Sequence, residues 1–170
     1  HQGTYSAMIA PVRNADGKLL KLHRTYLAND SDGKAPVDPA KKLCTPIFKG
    51  ATAGGAIQLF PAGETLGLAE GIETALAVHE ATGVPVWGTI AAGFMASVEI
   101  PDGVKEVQIW ADNDANNAGQ NAAKKLAKRL IQKGLKVQIL LPEVEGQDWL
   151  DVLNDRGREA FSEAMTKAQV

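Results

Sequence analysis

The sequence predicts an α/β fold, in which a parallel sheet of about four strands is flanked by helices and preceded by a small N-terminal antiparallel β subdomain. Strand-like apolar runs separated by turn residues occur within residues 1–60. From residue 61 onward, apolar runs alternate with helical segments, and this order implies right-handed crossovers and a parallel sheet. The length of 170 residues, 45% of them hydrophobic and 22% charged, suits one domain with at most a small appendage.

In the N-terminal part, residues 5–12 and 19–27 are predicted as two strands. The turn residues NADG lie between them, and Gly17 can take a positive φ there. Residues 56–60 are predicted as a third strand that closes a small antiparallel sheet. The sequence PAGE then marks a domain boundary near residue 61.

Residues 28–55 are predicted as a long loop, because they are rich in Gly, Asp, Lys and Pro and show no period. The stretch KGATAGG at 49–55 is predicted as its flexible tip. Long loops without secondary structure are uncommon in compact domains. We therefore expect this loop to be a binding loop.

In the second part, the predicted strands are residues 65–69, 84–90, 106–111 and 135–142. A helix is predicted over about 72–82, and one or two short helices are predicted at the end of the chain. The longest predicted helix covers about 117–133. Its apolar face repeats every four residues, and its opposite face is basic, with Lys124, Lys125, Lys128, Arg129 and Lys133.

The net charge of -2 hides an asymmetry between the two predicted domains. Residues 1–60 carry eight Lys and Arg against four Asp, and residues 61–170 carry ten against sixteen Asp and Glu. A basic subdomain beside an acidic body is one way to bind a polyanion next to a metal site. Chance scatter of charges over a solvated surface is the alternative.

Several classes of protein are excluded. No apolar run reaches the roughly 18–20 residues that span a bilayer, so we expect no membrane association. The single Cys44 excludes an internal disulfide and a cysteine-rich zinc site, and is typical of a reducing, cytoplasmic setting. The chain begins with His1 and not Met, and we expect it to be part of a longer protein.

Acidic residues follow three of the predicted strands. Glu70 follows the first, Asp112 and Asp114 the third, and Asp148 and Asp151 the fourth. Ligands of open parallel sheets bind beyond the carboxyl ends of the strands. Carboxylates gathered there would repel each other, and Mg²⁺ or Mn²⁺, which prefer hard oxygen ligands, would remove that cost.

Each of these acidic residues also has a plainer explanation. Asp112, Asp114 and Asp148 are good helix N-caps, worth about 1 kcal/mol apiece. Glu70 would favour the positive end of the following helix. A helix cap needs only one side chain, however, and two of the three clusters contain a pair of acidic side chains. Three clusters at three strand ends therefore favour a shared metal site.

Three segments in this order, AEGIETAL, IWADNDANNAG and GQDWLDVL, resemble the Toprim family. The likeness covers about residues 64–155, and GIETAL and DWLDVL look most like the Toprim modules of phage and plasmid primases or primase-helicases. The upstream GKLLKLHRTYL and DGKAPVDPAKK resemble the segment that precedes Toprim in those proteins. The resemblance implies a Toprim-like, Rossmann-like fold for residues 61–170.

The resemblance also implies roles for individual residues. Glu70, Asp112 and Asp114 match the catalytic acids, where Glu70 would act as general base or acid or help to bind metal and the aspartates would bind Mg²⁺ or Mn²⁺. Asp148 matches the first acid of the third motif, and Asp151 is a weaker match, because Leu150 takes the alternating place. Glu73 is a secondary match, and Gly119 matches the Ala-Gly that opens the helix after the aspartates.

The implied function is a primase core that joins nucleoside triphosphates into short primers on a single-stranded DNA template. A replicative helicase, fused or separate, is a further implied partner. Lys and Arg hold phosphates and template backbone in such proteins, and the candidates are Arg24, Lys34, Lys41 and Lys42. Each could instead be an exposed solubilising charge.

Two alternatives stay open at this point. One is a nuclease or topoisomerase-like cleavage module, although a topoisomerase needs a nucleophilic tyrosine and only Tyr5 and Tyr26 are present, both in predicted strands. The other is a non-catalytic module that binds nucleic acid inside a replication protein. Trp110 and Trp149 adjoin the acidic motifs, and we expect them to be core residues and not platforms for stacking bases.

Overall fold

The computed structural model describes residues 3–30, 33–48 and 53–168. The N-terminal strands are β1 (Ala7–Arg13), β2 (Leu19–Tyr26), β3 (Lys41–Leu43) and β4 (Ala56–Gln58). The alternating part comprises β5 (Thr65–Ala69), α1 (Ile72–Thr82), β6 (Val86–Gly88), α2 (Ala92–Met95), β7 (Glu106–Trp110), α3 (Ala118–Gln132) and β8 (Lys136–Leu140). Two helices end the described chain, α4 (Trp149–Arg156) and α5 (Glu159–Lys167).

All eight strands form one sheet, in the order β3-β2-β1-β4-β6-β5-β7-β8. Strands β6, β5, β7 and β8 are parallel, and β1, β2 and β3 pair antiparallel. Strand β4 joins the two halves, because it pairs antiparallel with β1 on one side and with β6 on the other. The predicted fold class is therefore confirmed, while the boundary near residue 61 stays a prediction.

The sheet separates two layers of helices. Alternate residues of β5 and β7 point to opposite faces. Leu66, Leu68, Val107 and Ile109 pack against α2 and α3. On the other face, α1, α4 and α5 cover a second core that includes Trp110.

The two tryptophans beside the acidic motifs lie in that second core. Trp110 and Trp149 are 0% and 1% exposed, and their rings meet edge to face with centroids 4.8 Å apart. Burial of this depth leaves no ring face for a base to stack on. The expectation that they are core residues is confirmed.

The interval 28–55 contains more structure than we predicted. Strand β3 lies within it and pairs with β2, and Leu27 bridges Lys34. The two lysines that begin β3 lower its β propensity, so its alternation was hidden. Residues 49–52 of the predicted tip lie outside the described residues, while Gly54 and Gly55 are buried.

Helix α2 was also missed, because four residues are too few to show a helical period. Ile90, two residues before it in the β6–α2 connection, has φ +78°. A β-branched side chain is strained in this conformation, and such strain tends to lie near functional sites. No described helix is long and apolar enough to cross a membrane.

Candidate metal and nucleotide site

The carboxyl edge of the parallel strands carries the predicted acids. Ala69 and Trp110 are register partners at the ends of β5 and β7, so the chain leaves both strands side by side. Glu70 directly follows β5, and Asp112 lies two residues after the end of β7. We call Glu70, Asp112, Asp114 and Asp148 the acidic rim.

Asp112 is the most perturbed acid of the rim. Burial raises its pKa to about 7, and the charges of Glu70, Asp148 and Asp114 add to the shift. Like charges act in this way only at short range. Its Oδ1 is buried and has no hydrogen-bond partner among the described residues. The charges of the other three acids of the rim therefore all act on Asp112.

Glu70 shares this environment. Burial raises its pKa, and the charge of Asp114 raises it further, while the backbone N–H of Ala92 and the charge of Lys41 oppose the shift. Its Oε2 is also buried without a described partner. Helix α2 therefore adjoins the site, because the backbone N–H of its first residue acts on this carboxyl.

The alternative role as helix caps applies to one of the two acidic loops. Asp148 is the N-cap of α4 and accepts from the N–H groups of Leu150 and Asp151, while the Asp151 carboxylate accepts from the Asp148 N–H at 3.0 Å. The side chain of Asp151 is therefore committed to a capping box. The N-cap residue of α3 is Asn117, which makes no side-chain cap hydrogen bond, so Asp112 and Asp114 are not caps.

The donor chemistry of the rim suits a hard divalent cation. Both orphaned atoms, Glu70 Oε2 and Asp112 Oδ1, are carboxylate oxygens. Among the described residues, no three acidic, His or Cys side chains form a ready-made metal cage. Mg²⁺ seldom uses such cages, since it binds through one or two carboxylates together with water and substrate phosphates. The rim fits an ion of that kind.

Two of the four basic candidates lie beside the rim. Lys41 of β3 and Lys34 form ion pairs of 3.0 and 3.1 Å with Glu73 in the first turn of α1. The charge of Lys41 also acts on Glu70 and Asp112. The N-terminal strands therefore bring positive charge to the acids of the second half.

The other two basic candidates lie on the opposite face of the N-terminal strands. Arg24 and Lys42 are register partners on β2 and β3, and successive residues of a strand point to opposite faces, so Lys42 points away from Lys41. Both cations lie over the ring of Tyr26, at 5.6 and 5.9 Å from its centroid. The four candidates thus form two separate pairs.

The family model for the Toprim domain matches residues 65–159, which is more than half of the chain. The chain belongs to the Toprim family. This confirms the resemblance of the three acidic segments. A domain of unknown function, DUF7146, matches residues 1–54, so strands β1, β2 and β3 have a family model of their own.

Solved structures share the fold across both parts. A DNA primase domain from Pseudomonas aeruginosa matches with a TM-score of 0.64 at 18% identity, covering 95% of this chain and 51% of that chain. The Aquifex aeolicus primase, with its zinc-binding and RNA polymerase domains, gives 0.65 at 18% identity and coverages of 95% and 40%. This Toprim chain therefore spans about half or less of those two structures.

A phage structure is similar as well. It contains primase domains of bacteriophage T7 gp4 bound to an RNA/DNA hybrid and dTTP, and it matches with a TM-score of 0.57 at 17% identity, covering 95% of this chain and 78% of that chain. No curated protein matches the chain. At these identities the structures establish the fold that the Toprim chain shares with primase cores.

Sequence reasoning missed the residue that joins the two acidic loops of the Toprim domain. Asn113, between the two aspartates, donates from Nδ2 to the carbonyl of Pro142 and accepts at Oδ1 from Gln120. Its backbone exchanges hydrogen bonds with Gly146 and Gln147. The Asp-x-Asp pattern treats residue 113 as a spacer. The amide side chain, which can both donate and accept hydrogen bonds, is the sequence feature that could have indicated its role.

Gly119, the matched glycine at the start of α3, permits a close approach. A Cβ built there would lie 3.3 Å from the carbonyl oxygen of Asp112 and 3.8 Å from Asp114 Oδ2. The aspartate loop therefore lies directly over the first turn of the helix. A side chain at this position would push that loop outward.

Proposed function

We propose that this chain is the catalytic core of a DNA primase, which joins nucleoside triphosphates into short primers on a single-stranded DNA template. The observation that carries the proposal is that Glu70 and Asp112 follow paired strand ends at the carboxyl edge of the sheet, each with a buried carboxylate oxygen that has no described hydrogen-bond partner. The Toprim family and the fold shared with primase cores support it.

The reaction is an in-line displacement, in which a primer 3′-hydroxyl oxygen attacks the α-phosphorus and pyrophosphate leaves. Glu70, whose pKa burial raises, would accept the hydroxyl proton or help to bind the ion. Asp112 and Asp114 would hold Mg²⁺ or Mn²⁺, with Asp148 contributing charge at the edge of the site. When bound, such an ion neutralises charge on the phosphate oxygens and activates the attacking hydroxyl.

The basic residues beside the rim would bind the triphosphate. Lys41 acts electrostatically on both Glu70 and Asp112 and is therefore close enough to serve phosphates held there. Glu73 keeps Lys41 and Lys34 in place until substrate phosphates compete for them. Arg24 and Lys42, on the opposite face, would contact template backbone outside the reacting centre.

We assign Asp151 a supporting role in this proposal, because its carboxylate already accepts from the N–H of Asp148. It would fix Asp148 at the start of α4 without binding the ion directly. A replicative helicase, fused or separate, remains part of the proposal, and the T7 gp4 primase domains are a structural precedent for the fold alone.

The proposal is tested by incubating the chain with single-stranded template, labelled nucleoside triphosphates and Mg²⁺ or Mn²⁺. We expect short labelled products that Asp112→Asn reduces at least about 100-fold, because the ion loses its main ligand. Asp102→Asn makes the same chemical change at an exposed residue before β7, at the other end of the strands, and should leave synthesis intact.

Supercoiled plasmid is included in a parallel reaction. Nicked plasmid without labelled primers would favour a Toprim nuclease and contradict the primase proposal. Template binding that persists in EDTA, together with no turnover in either reaction, would favour a non-catalytic binding module. Primer synthesis by Asp112→Asn at the wild-type rate would remove the acidic rim from the mechanism.

A further inference from the structure

Helix α3 carries a concentration of positive charge that the proposed function does not use. It contains no Asp or Glu, and Lys124, Lys125 and Lys128 are all exposed. At 100° per residue these three lysines point within about 100° of one another, so they lie along one side of the helix. We call them the lysine stripe.

The lysine stripe has no described acidic partner. None of its three ammonium groups forms a salt bridge to any residue that the structure describes, whereas Arg129 and Lys133 of the same helix both pair with Glu99. An exposed lysine without a partner is common. Three on one stripe of a helix that carries no acidic residue produce a local positive potential that attracts polyanions.

One member of the lysine stripe, Lys125, lines a groove between α2 and α3. The groove has a volume of about 250 Å³ and is lined mainly by small residues, with Asn121 and Lys125 as its polar members. One end of the groove is lined by Ala118, which precedes Gly119, and a Cβ built on Gly119 would lie 3.8 Å from Asp114 Oδ2. A chain lying in this groove would therefore lead to the reacting centre.

The other side of the sheet has the opposite character. Helices α1, α4 and α5 carry exposed acids, and several of these, including Glu80 and Glu163, pair with arginines of the same layer. Glu143, beside them, binds Arg156 and Lys167. Positive charge on that side is therefore largely neutralised, and a polyanion would be drawn to the α3 side.

We infer that the lysine stripe and the α2–α3 groove bind the sugar-phosphate backbone of single-stranded nucleic acid and guide it toward the acidic rim. The inference rests on the proposed function for the identity of the strand as template. Lys124 and Lys128 are separated by one turn, about 6 Å along the helix axis, so they can contact different phosphates of one strand. Contacts of this kind bind without regard to base sequence.

The test is the salt dependence of binding to a fluorescent single-stranded oligonucleotide, measured by anisotropy in EDTA. The variant replaces all three lysines, Lys124→Gln, Lys125→Gln and Lys128→Gln, which preserves helix propensity. The control replaces Lys105, Lys136 and Lys167 by Gln, which changes the net charge equally. Lys105 and Lys136 lie at the amino ends of β7 and β8, away from the rim.

We expect the slope of log K against log salt to become shallower by about 2 in the stripe variant, because each phosphate contact to a single strand contributes roughly 0.7. Affinity at low salt should fall at least about tenfold for every oligonucleotide sequence. The control should keep the wild-type slope within about 0.5. Unchanged circular dichroism and melting would show that the stripe variant is folded.

Two results would overturn the inference. One is a stripe variant that binds DNA with the same slope and affinity as the control. The other is a wild-type chain that binds an oligoglutamate of equal charge as tightly as DNA, which would indicate a surface for acidic polypeptides. The assay is run in EDTA and measures binding without catalysis. It therefore tests the lysine stripe even if primer synthesis is never detected, and failure of this inference can be distinguished from failure of the proposed function.

Discussion

At the scale of single residues, Asp112 shows that the acidic rim lowers the stability of the folded protein at neutral pH. A carboxyl with its pKa near 7 is held in an environment that opposes its charge. Stability from such a group is present below its ordinary pKa of 3.8 and is lost as the pH rises through about 7. A site that lowers folding stability at neutral pH is typical of binding and catalytic sites. A bound cation would favour the ionised carboxylate and restore the stability.

Glu73 shows the opposite behaviour and allows a prediction. Burial opposes its charge, but its own backbone N–H, Lys41 and Lys34 outweigh burial and lower its pKa to about 2. Its stabilising contribution is therefore present above about pH 4.5 and is lost as the pH falls toward 2. We expect Glu73→Gln to cost about 1 kcal/mol of unfolding free energy at pH 7 and almost nothing at pH 2.

The measurement is urea unfolding of wild type and Glu73→Gln at both pH values. Glu80→Gln is the matched control, because Glu80 lies on the same helix and makes one exposed pair with Arg158. That control should change stability by less than about 0.5 kcal/mol at either pH. Equal losses for Glu73→Gln at pH 7 and pH 2 would show that the ion pairs with Lys34 and Lys41 contribute nothing.

At the scale of elements, the loop after β7 and the segment before α4 act as one unit because Asn113 joins them. Its side chain makes two hydrogen bonds of 3.0 Å, to Pro142 and from Gln120. We expect Asn113→Ala to destabilise the fold by about 1–3 kcal/mol. Amide exchange at Gly146 and Gln147 should quicken more than exchange in β5.

Native-state hydrogen exchange measures this, with Asn154→Ala as control, since Asn154 is exposed on α4. Exchange that quickens evenly over the whole sheet would mean that Asn113 contributes only to global stability. Local quickening would show that it fixes the spacing between Asp112 and the Asp148 cap.

The elements also show what sequence could predict. Helix α1 was predicted over its observed range, because Gly83, with φ +73°, gives it a clear end. Strands β5 and β7 were predicted because their apolar runs are buried on both faces. Strand β3 and helix α2 were missed because three or four residues carry too little pattern, and their structure depends on pairing with distant parts of the chain.

At the scale of the whole molecule, the acids could be placed from sequence because parallel strands all end at one edge of the sheet. The grouping of the basic residues could not. Lys41 and Lys42 are adjacent in sequence, yet strand alternation sends them to opposite faces, and only the β2–β3 pairing shows which one meets α1. The capping box likewise depends on side-chain geometry that the spacing of Asp148 and Asp151 leaves open.

The whole molecule joins two parts with separate family models into one sheet through β4. Because the Lys41 side chain reaches Glu73 across this junction, the N-terminal strands complete the charge arrangement of the Toprim half. We propose residues 1–60 and 61–170 as two domains that share one site.

The most direct test of the central claim is calorimetric titration of the whole chain with Mn²⁺ at pH 8, where Asp112 is ionised. We predict saturable binding by wild type and by Asp102→Asn, and an affinity at least about tenfold weaker for Asp112→Asn and for Glu70→Gln. Equal Mn²⁺ affinity in all four proteins would contradict the claim that the acidic rim holds a divalent cation.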